Sequence, residues 1–167
     1  MNKQESQSVE VKYKVMSDLC KPEFLPEYAT SGAAGMDLHA CIPEPWHLHP
    51  AERKRVPTGI AFQFPGPFLV GLVYARSGLA WRHGIGLPNG VGVIDSDYTG
   101  EVMVLLTNFS DDEFTIQPGD RIAQIVFQPV YSVQLTETET LDNTQRGDKG
   151  FGSTGVKGGQ DGIVGER

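Results

Sequence analysis

The chain has 167 residues, a formal net charge of −7, 20 glycines, 11 prolines and two cysteines. That length suits one domain with one hydrophobic core, and the acidity argues against DNA or RNA as a polymer partner, which calls for a basic surface. No run approaches the roughly 20 apolar residues of a membrane span, and the opening MNKQESQSVE lacks the apolar stretch of a signal peptide. The expected location is therefore the cytoplasm, or the nucleus in a eukaryote, with no membrane partner. A small anion remains an acceptable ligand for an acidic protein, provided local cations, backbone N–H groups or a metal receive it.

In chain order, Val9, Val11, Tyr13 and Val15 alternate with Glu10, Lys12 and Lys14, which predicts a half-buried strand. Leu25 to Gly32 is a loop, and Met36 to Cys41 is a strand. Cys20 and Cys41 carry no paired motif and read as two reduced thiols. His47 and His49 would share a face if extended, but Pro45 and Pro50 beside them favour a polar surface turn over a metal pair. Arg53 to Val56, Ile60 to Phe64 and Phe68 to Ala75 are short strands separated by Pro57 and by Pro65-Gly66-Pro67. Ser77 to Arg82 suits one helical turn with Ser77 at its start.

Gly90 to Ile94 and Glu101 to Asn108 read as a hairpin joined by a broad turn, Asp95 to Gly100. Phe114 to Ile116, Arg121 to Val130 and Ser132 to Thr136 complete the set. About ten short strands with regular turn signals predict an all-β sandwich or barrel of jelly-roll type. The expected organisation is a β domain over residues 1–145 and a flexible, glycine-rich C-terminal arm over 146–167, which holds eight glycines.

Within that arm, Gly150-Phe-Gly152-Ser-Thr-Gly155 matches G-x-G-x-x-G by letter. It lacks the flanking strand, helix and downstream acid of a dinucleotide fold, and the Gly-Lys-Ser/Thr ending of a Walker loop. What it keeps is physical. Backbone N–H groups can approach an anion there, and Arg146, Lys149, Ser153 and Thr154 add donors.

Five segments in order resemble the five motifs of the trimeric deoxyuridine triphosphatase family. They are Ala34-Gly-Met-Asp37-Leu38, then Ala75-Arg76-Ser77-Gly78-Leu79-Ala80, then Asn89 through Asp95-Ser-Asp97-Tyr98 to Glu101, then Gly119-Asp-Arg121-Ile-Ala-Gln124-Ile-Val-Phe127, and finally Arg146 to Gly155. Lys149 departs from a glycine common in the family. The resemblance spans residues 9–155. It implies a jelly-roll homotrimer with three shared active sites, each taking the first, second and fourth motifs from one chain, the third from a neighbour and the fifth from the last.

The resemblance implies hydrolysis of dUTP to dUMP and pyrophosphate by water attack on the α-phosphorus. Such an enzyme limits uracil incorporation into DNA and supplies dUMP for thymidylate synthesis. Asp95 corresponds to the base for the attacking water, and Ser77 to the donor that meets charge developing on the leaving pyrophosphate. Arg76, Gly78 and Gln124 correspond to phosphate-binding positions. Asp37 corresponds to a carboxylate holding Mg²⁺ through water. Tyr98 corresponds to the ring that packs on deoxyribose, and Asn89, Gly92, Val93, Ile94 and Met103 to positions facing the uracil edge. From the arm, Arg146, Ser153 and Thr154 correspond to binders of the terminal phosphates. Phe151 corresponds to a stacker on uracil, with Gly152 beside it. Two rival readings are a deoxycytidine triphosphate deaminase of the same fold and a non-catalytic nucleotide-binding regulatory module. The intact Arg76-Ser77-Gly78-Leu79-Ala80 and Asp95-x-Asp97-Tyr98 segments, together with Asp37, argue against both.

Overall fold

The computed structural model describes residues 8–148. The chain divides into two compact units, Met1–Ser132 and Val133–Arg167. The first unit contains ten strands and one α-helix among its described residues: β1 (Lys12–Val15), β2 (Met36–His39), β3 (Trp46–Leu48), β4 (Arg53–Gln63), β5 (Leu69–Tyr74), α1 (Ser77–His83), β6 (Ile85–Gly86), β7 (Gly92–Ile94), β8 (Glu101–Asn108), β9 (Phe114–Ile116) and β10 (Arg121–Pro129).

The strands form two four-stranded antiparallel sheets, ordered β1-β4-β8-β6 and β2-β10-β5-β7, and a two-stranded ribbon, β3-β9. Period-two patterning supplies the common core. Val102, Val104 and Leu106 of β8 are buried, and between them Leu105 is exposed. Leu38, Val73 and Ile125 from the second sheet, and Leu48 and Ile116 from the ribbon, join Val56, Ile60 and Val104 in one apolar cluster. This is the β sandwich the turn-rich composition predicts.

Several details differ from the sequence reading. The strand expected to stop at Pro57 instead runs on as β4, because the chain absorbs Pro57 and Gly59 (φ +70°) in a register shift against β8 between Pro57 and Ala61. The expected hairpin of β7 and β8 does not form. β7 pairs with β5 and β8 with β4 and β6, so Asp95 to Gly100 crosses from one sheet to the other. Alternation marks a strand's faces but not its partner. β1 lies on β4, yet all four of its residues are exposed. His47 belongs to a strand rather than a turn, and it and His49 each meet one oxygen of Glu113 at 2.8 Å. Ser132 to Thr136 forms no strand.

The second unit, over its described residues 133–148, holds no helix or strand. A short turn there places Gly147 in the left-handed region (φ +57°), with its N–H donating to Thr144 Oγ1 at 3.1 Å. Arg146 belongs to this unit. The remaining arm positions singled out above, Phe151, Gly152, Ser153 and Thr154, lie outside the described residues. Among the described residues no helix is long and apolar enough to cross a membrane.

Candidate active site

The sheet register sets out the first half of the site. Gln124 of β10 stands opposite Asp37 of β2 on one side and Tyr74 of β5 on the other. Residues aligned across neighbouring strands share a face, so these three side chains form a row. They line a cavity of about 400 Å³ together with Gly35, Arg76, Ser77, Gly78, Arg121 and Val126.

Arg121 and Gln124 are three apart on one strand, which in a regular strand would set them on opposite faces. A β-bulge between Arg121 and Ala123 adds one residue against β2. Ile122 and Ala123 are consequently both buried, and the flanking Arg121 and Gln124 both reach the cavity.

Asp37 is the electrostatic centre of this cavity. Its Oδ1 meets Arg76 Nε at 2.9 Å and its Oδ2 meets Arg121 Nη1 at 3.2 Å, with the Asp37 side chain 17% exposed. Arg76 Nη1 also donates to the Arg121 carbonyl at 3.1 Å. Arg121 is thus an ion-pair partner of Asp37. Gln124 Nε2 donates to the Ala75 carbonyl at 3.2 Å, which fixes the amide above the end of β5. Beyond that end, Arg76 is still extended (φ −87°, ψ 130°) and Ser77 begins α1 exposed to solvent.

Two glycines matter here for different reasons. A Cβ on Gly35 would sit 3.1 Å from Gln124 Oε1 and 3.3 Å from the Ile125 carbonyl, so a side chain here would crowd β10 where the chain enters β2. A Cβ on Gly78 would meet nothing within 4 Å. The protomer's own packing does not explain that glycine.

The third-motif residues occupy a different place. Val93 and Asp95 line a second cavity of about 630 Å³ with Pro67, Leu69, Val70, Ser96, Asp97 and Val130, and Ser77 is not part of it. Gly92, Val93 and Ile94 pair with Val73, Leu72 and Gly71 of β5. Asn89 is exposed in the turn before them, where Gly90 N–H donates to the Leu87 carbonyl. Tyr98 is held by a 2.9 Å bond from its hydroxyl to the Glu101 carbonyl, with its ring over Gly100. Val93 is 60% exposed and Tyr98 44%. Met103 sits opposite Pro57 on β8, half-buried.

The structure therefore brings Asp37, Arg76, Ser77, Gly78 and Gln124 to one cavity and leaves Asp95 at another. Sequence reasoning passed over Gly35, Tyr74 and Val126 as lining residues. The signal for Gly35 was its place beside Asp37 in a matched segment, and for Val126 its place two residues after Gln124; Tyr74 becomes visible only through register. Among the described residues no group of three or more His, Cys, Asp or Glu could hold a metal ion. Asp37 still has acceptor capacity, because each carboxylate oxygen carries two lone pairs and one guanidinium occupies only one of them.

A family model described as dUTPase matches residues 22–155. The deoxyuridine 5'-triphosphate nucleotidohydrolase of Shigella flexneri serotype 5b is 47% identical over 143 residues, 85% of this chain and 95% of that protein. The protein of the same name from Salmonella enteritidis PT4 is 50% identical over 133 residues, 80% of this chain and 88% of its own. Among solved structures, Staphylococcus bacteriophage 80alpha dUTPase with dUpNHpp is similar at a TM-score of 0.78, with 27% identity, covering 88% of this chain and 99% of that one. A mutant dUTPase from phage phi11 of S. aureus, described with a structural Mg(II) ion, has a TM-score of 0.71 and 21% identity, and covers 80% of this chain and 99% of its own.

Proposed function

The chain belongs to the dUTPase family and hydrolyses dUTP to dUMP and pyrophosphate, and on that footing we propose that water attacks the α-phosphorus in sites built from three copies of the chain. The observation that carries the shared site is the separation just described. The phosphate-binding set lies at one cavity of the protomer and the base at another. A second copy must present its Asp95 to the first copy's Ser77, and the arm of a third closes over both.

In this reading Arg76, Gly78 and Gln124 hold the triphosphate, and Ser77 donates to the bridging oxygen as it gains charge. Asp95 accepts the proton of the attacking water; such general-base action contributes roughly 10²–10⁴-fold. The Tyr98 ring covers the deoxyribose and leaves no room for a 2′-hydroxyl. Asn89, the backbone of β7 and Met103 read the uracil edge. Cytosine reverses that donor and acceptor pattern, and a site of this kind can discriminate by roughly 10⁴–10⁵. Arg146, Phe151, Gly152, Ser153 and Thr154 cover the bound nucleotide from the arm.

Asp37 suits Mg²⁺ held through water rather than directly, since each oxygen already accepts from an arginine and keeps one lone pair. When bound, Mg²⁺ neutralises triphosphate charge. The phage relative described with a structural Mg(II) ion and the one described with dUpNHpp, an analogue of dUTP, support metal and ligand class.

The test is subunit complementation. Asp95→Asn chains and chains truncated after Gln145, each nearly inactive alone, are unfolded and refolded together in equal amounts. Three quarters of random trimers are mixed, so about a quarter of sites should regain both base and arm. Mixed trimers that stay inactive would refute the shared site. Ammonia release from dCTP, in place of pyrophosphate release from dUTP, would instead overturn the activity.

A further inference from the structure

The two cysteines come from segments 21 positions apart and meet inside the sandwich. Cys20 follows β1 in a turn closed by its N–H donating to the Ser17 carbonyl at 3.0 Å. Cys41 leaves β2 with its N–H on the Pro57 carbonyl at 2.8 Å. Both are buried, at 8% and 3% exposure, and both are free thiols. Gly59 shows how close they lie. A Cβ there would stand 2.7 Å from Cys20 Cβ, 2.7 Å from Cys41 Sγ and 3.2 Å from Cys41 Cβ, so the two side chains meet over one backbone position that has given up its own.

We propose that Cys20 and Cys41 are a redox pair that hydrogen peroxide converts to an intrachain disulfide. Cys20, the more exposed, attacks one peroxide oxygen; the O–O bond breaks, water leaves and Cys20 becomes a sulfenic acid. The Cys41 sulfur then attacks Cys20 Sγ, the S–O bond breaks and a second water leaves. Two thiols give up two electrons and two protons, and one peroxide is reduced to two waters. Burial, the neighbouring Cys41 and Glu101 push the Cys20 thiol up. The reaction is therefore slow at neutral pH and faster in alkali, since the thiolate is the nucleophile. The same surroundings give the reduced form no thiolate stabilisation, the feature that makes strongly oxidising disulfides easy to reduce.

The bridge would close residues 20–41 into a covalent loop. That loop contains Gly35 and Asp37, which line the phosphate cavity, so oxidation would staple one wall of the site to the β1–β4 edge. Nothing in this depends on the shared-site reading above.

The test uses the full chain, reduced, then exposed to hydrogen peroxide at pH 8.5 and at pH 7. Cleavage before aspartates separates Cys20, in residues 18–36, from Cys41, in residues 37–94. The expected result without reductant is one joined peptide lighter by two hydrogens, from a band of single-chain mass, formed faster at pH 8.5. The thermal midpoint of the oxidised chain should rise by roughly 5–15 °C, and reductant should reverse it. Cys20→Ser and Cys41→Ser, close to cysteine in volume, should show neither linkage nor a peroxide-dependent shift. Separate peptides carrying added oxygen, unchanged thiols, or a bridge between two chains would overturn the pairing. A bridge with no change in midpoint would overturn the staple.

Discussion

Asn108 ends β8 with no exposed surface, and its side chain uses every bond it can make. Nδ2 donates to the Leu48 carbonyl at 3.0 Å and the Asp112 carbonyl at 2.7 Å; Oδ1 accepts from Ser110 N at 2.9 Å and Ser110 Oγ at 2.7 Å. It thereby ties β8 to the ribbon. Asn108→Ala strands the Leu48 carbonyl in the core, which costs about 1–3 kcal/mol, and loses three part-buried bonds worth about 0.5–1.5 kcal/mol each. Water recovers some of the latter, so the expected loss is about 3–5 kcal/mol. Asn108→Asp keeps the shape and the acceptor side, but at neutral pH it turns a carboxylate oxygen toward two carbonyls with no cation among its partners. It should cost at least as much as alanine.

The Asp variant's carboxyl would have a folded pKa above its unfolded value of about 3.9. The folded state then takes up the proton first, so the variant regains stability relative to the parent as pH falls from neutral toward about 4. Protonation restores one donor. Urea unfolding followed by far-ultraviolet circular dichroism at one fixed protein concentration reads both effects. An Asp variant within about 1 kcal/mol of the parent at pH 7, or a deficit that ignores pH, would refute the reasoning.

Burial holds the His39 imidazole below its usual range, against the raising effect of a bond to the Phe24 carbonyl, and its Nδ1 has no partner. The folded state therefore binds fewer protons, and stability present above about pH 6.5 should decline as pH falls below it. His39→Phe, which preserves the stack on Phe24, should flatten that decline in thermal scans; an unchanged slope would assign the loss elsewhere. Gly35→Ala forces its methyl against Gln124 Oε1 and the Ile125 carbonyl, so KM for dUTP should rise several-fold more than kcat falls, and equal changes would place the damage in the chemistry. Asp37→Asn should raise the Mg²⁺ concentration for half-maximal turnover by roughly 10–100-fold; an unaltered Mg²⁺ titration would remove Asp37 from metal binding. Asp95→Asn should lower kcat by roughly 10²–10⁴ with dUTP binding little changed, and near-normal single-turnover rates would exclude it as the base.

Most of the longer strands were legible from their own period and punctuation, whereas the short β3 and β6 gave no such signal and Ser132 to Thr136 alternates without forming a strand. Phe114 to Ile116 is one strand in both sequence and structure. Pairing was not legible, since Gly92 to Ile94 looks the same whether it faces β8 or β5. The site divided along the same line. Asp37, Arg76, Ser77 and Gln124 were nameable because they sit in matched segments, yet their convergence depends on register across β2, β10 and β5. Arg121 was the instructive case. Straight alternation sends it to the face opposite Gln124, and no local signal announces the extra residue that returns it.

That extra residue makes the β10 bulge a phase marker for the whole cavity. Substitutions at Ile122 need only fill the core, so another aliphatic of similar volume suffices. A deletion of one residue between Arg121 and Gln124 is a different kind of event. It would remove the bulge and leave the two positions two apart, on one face of a regular strand, with one buried residue between them instead of two. Point changes in this stretch should therefore be tolerated in graded fashion, while loss of one residue should empty a core position and still leave the guanidinium and the amide on the cavity side.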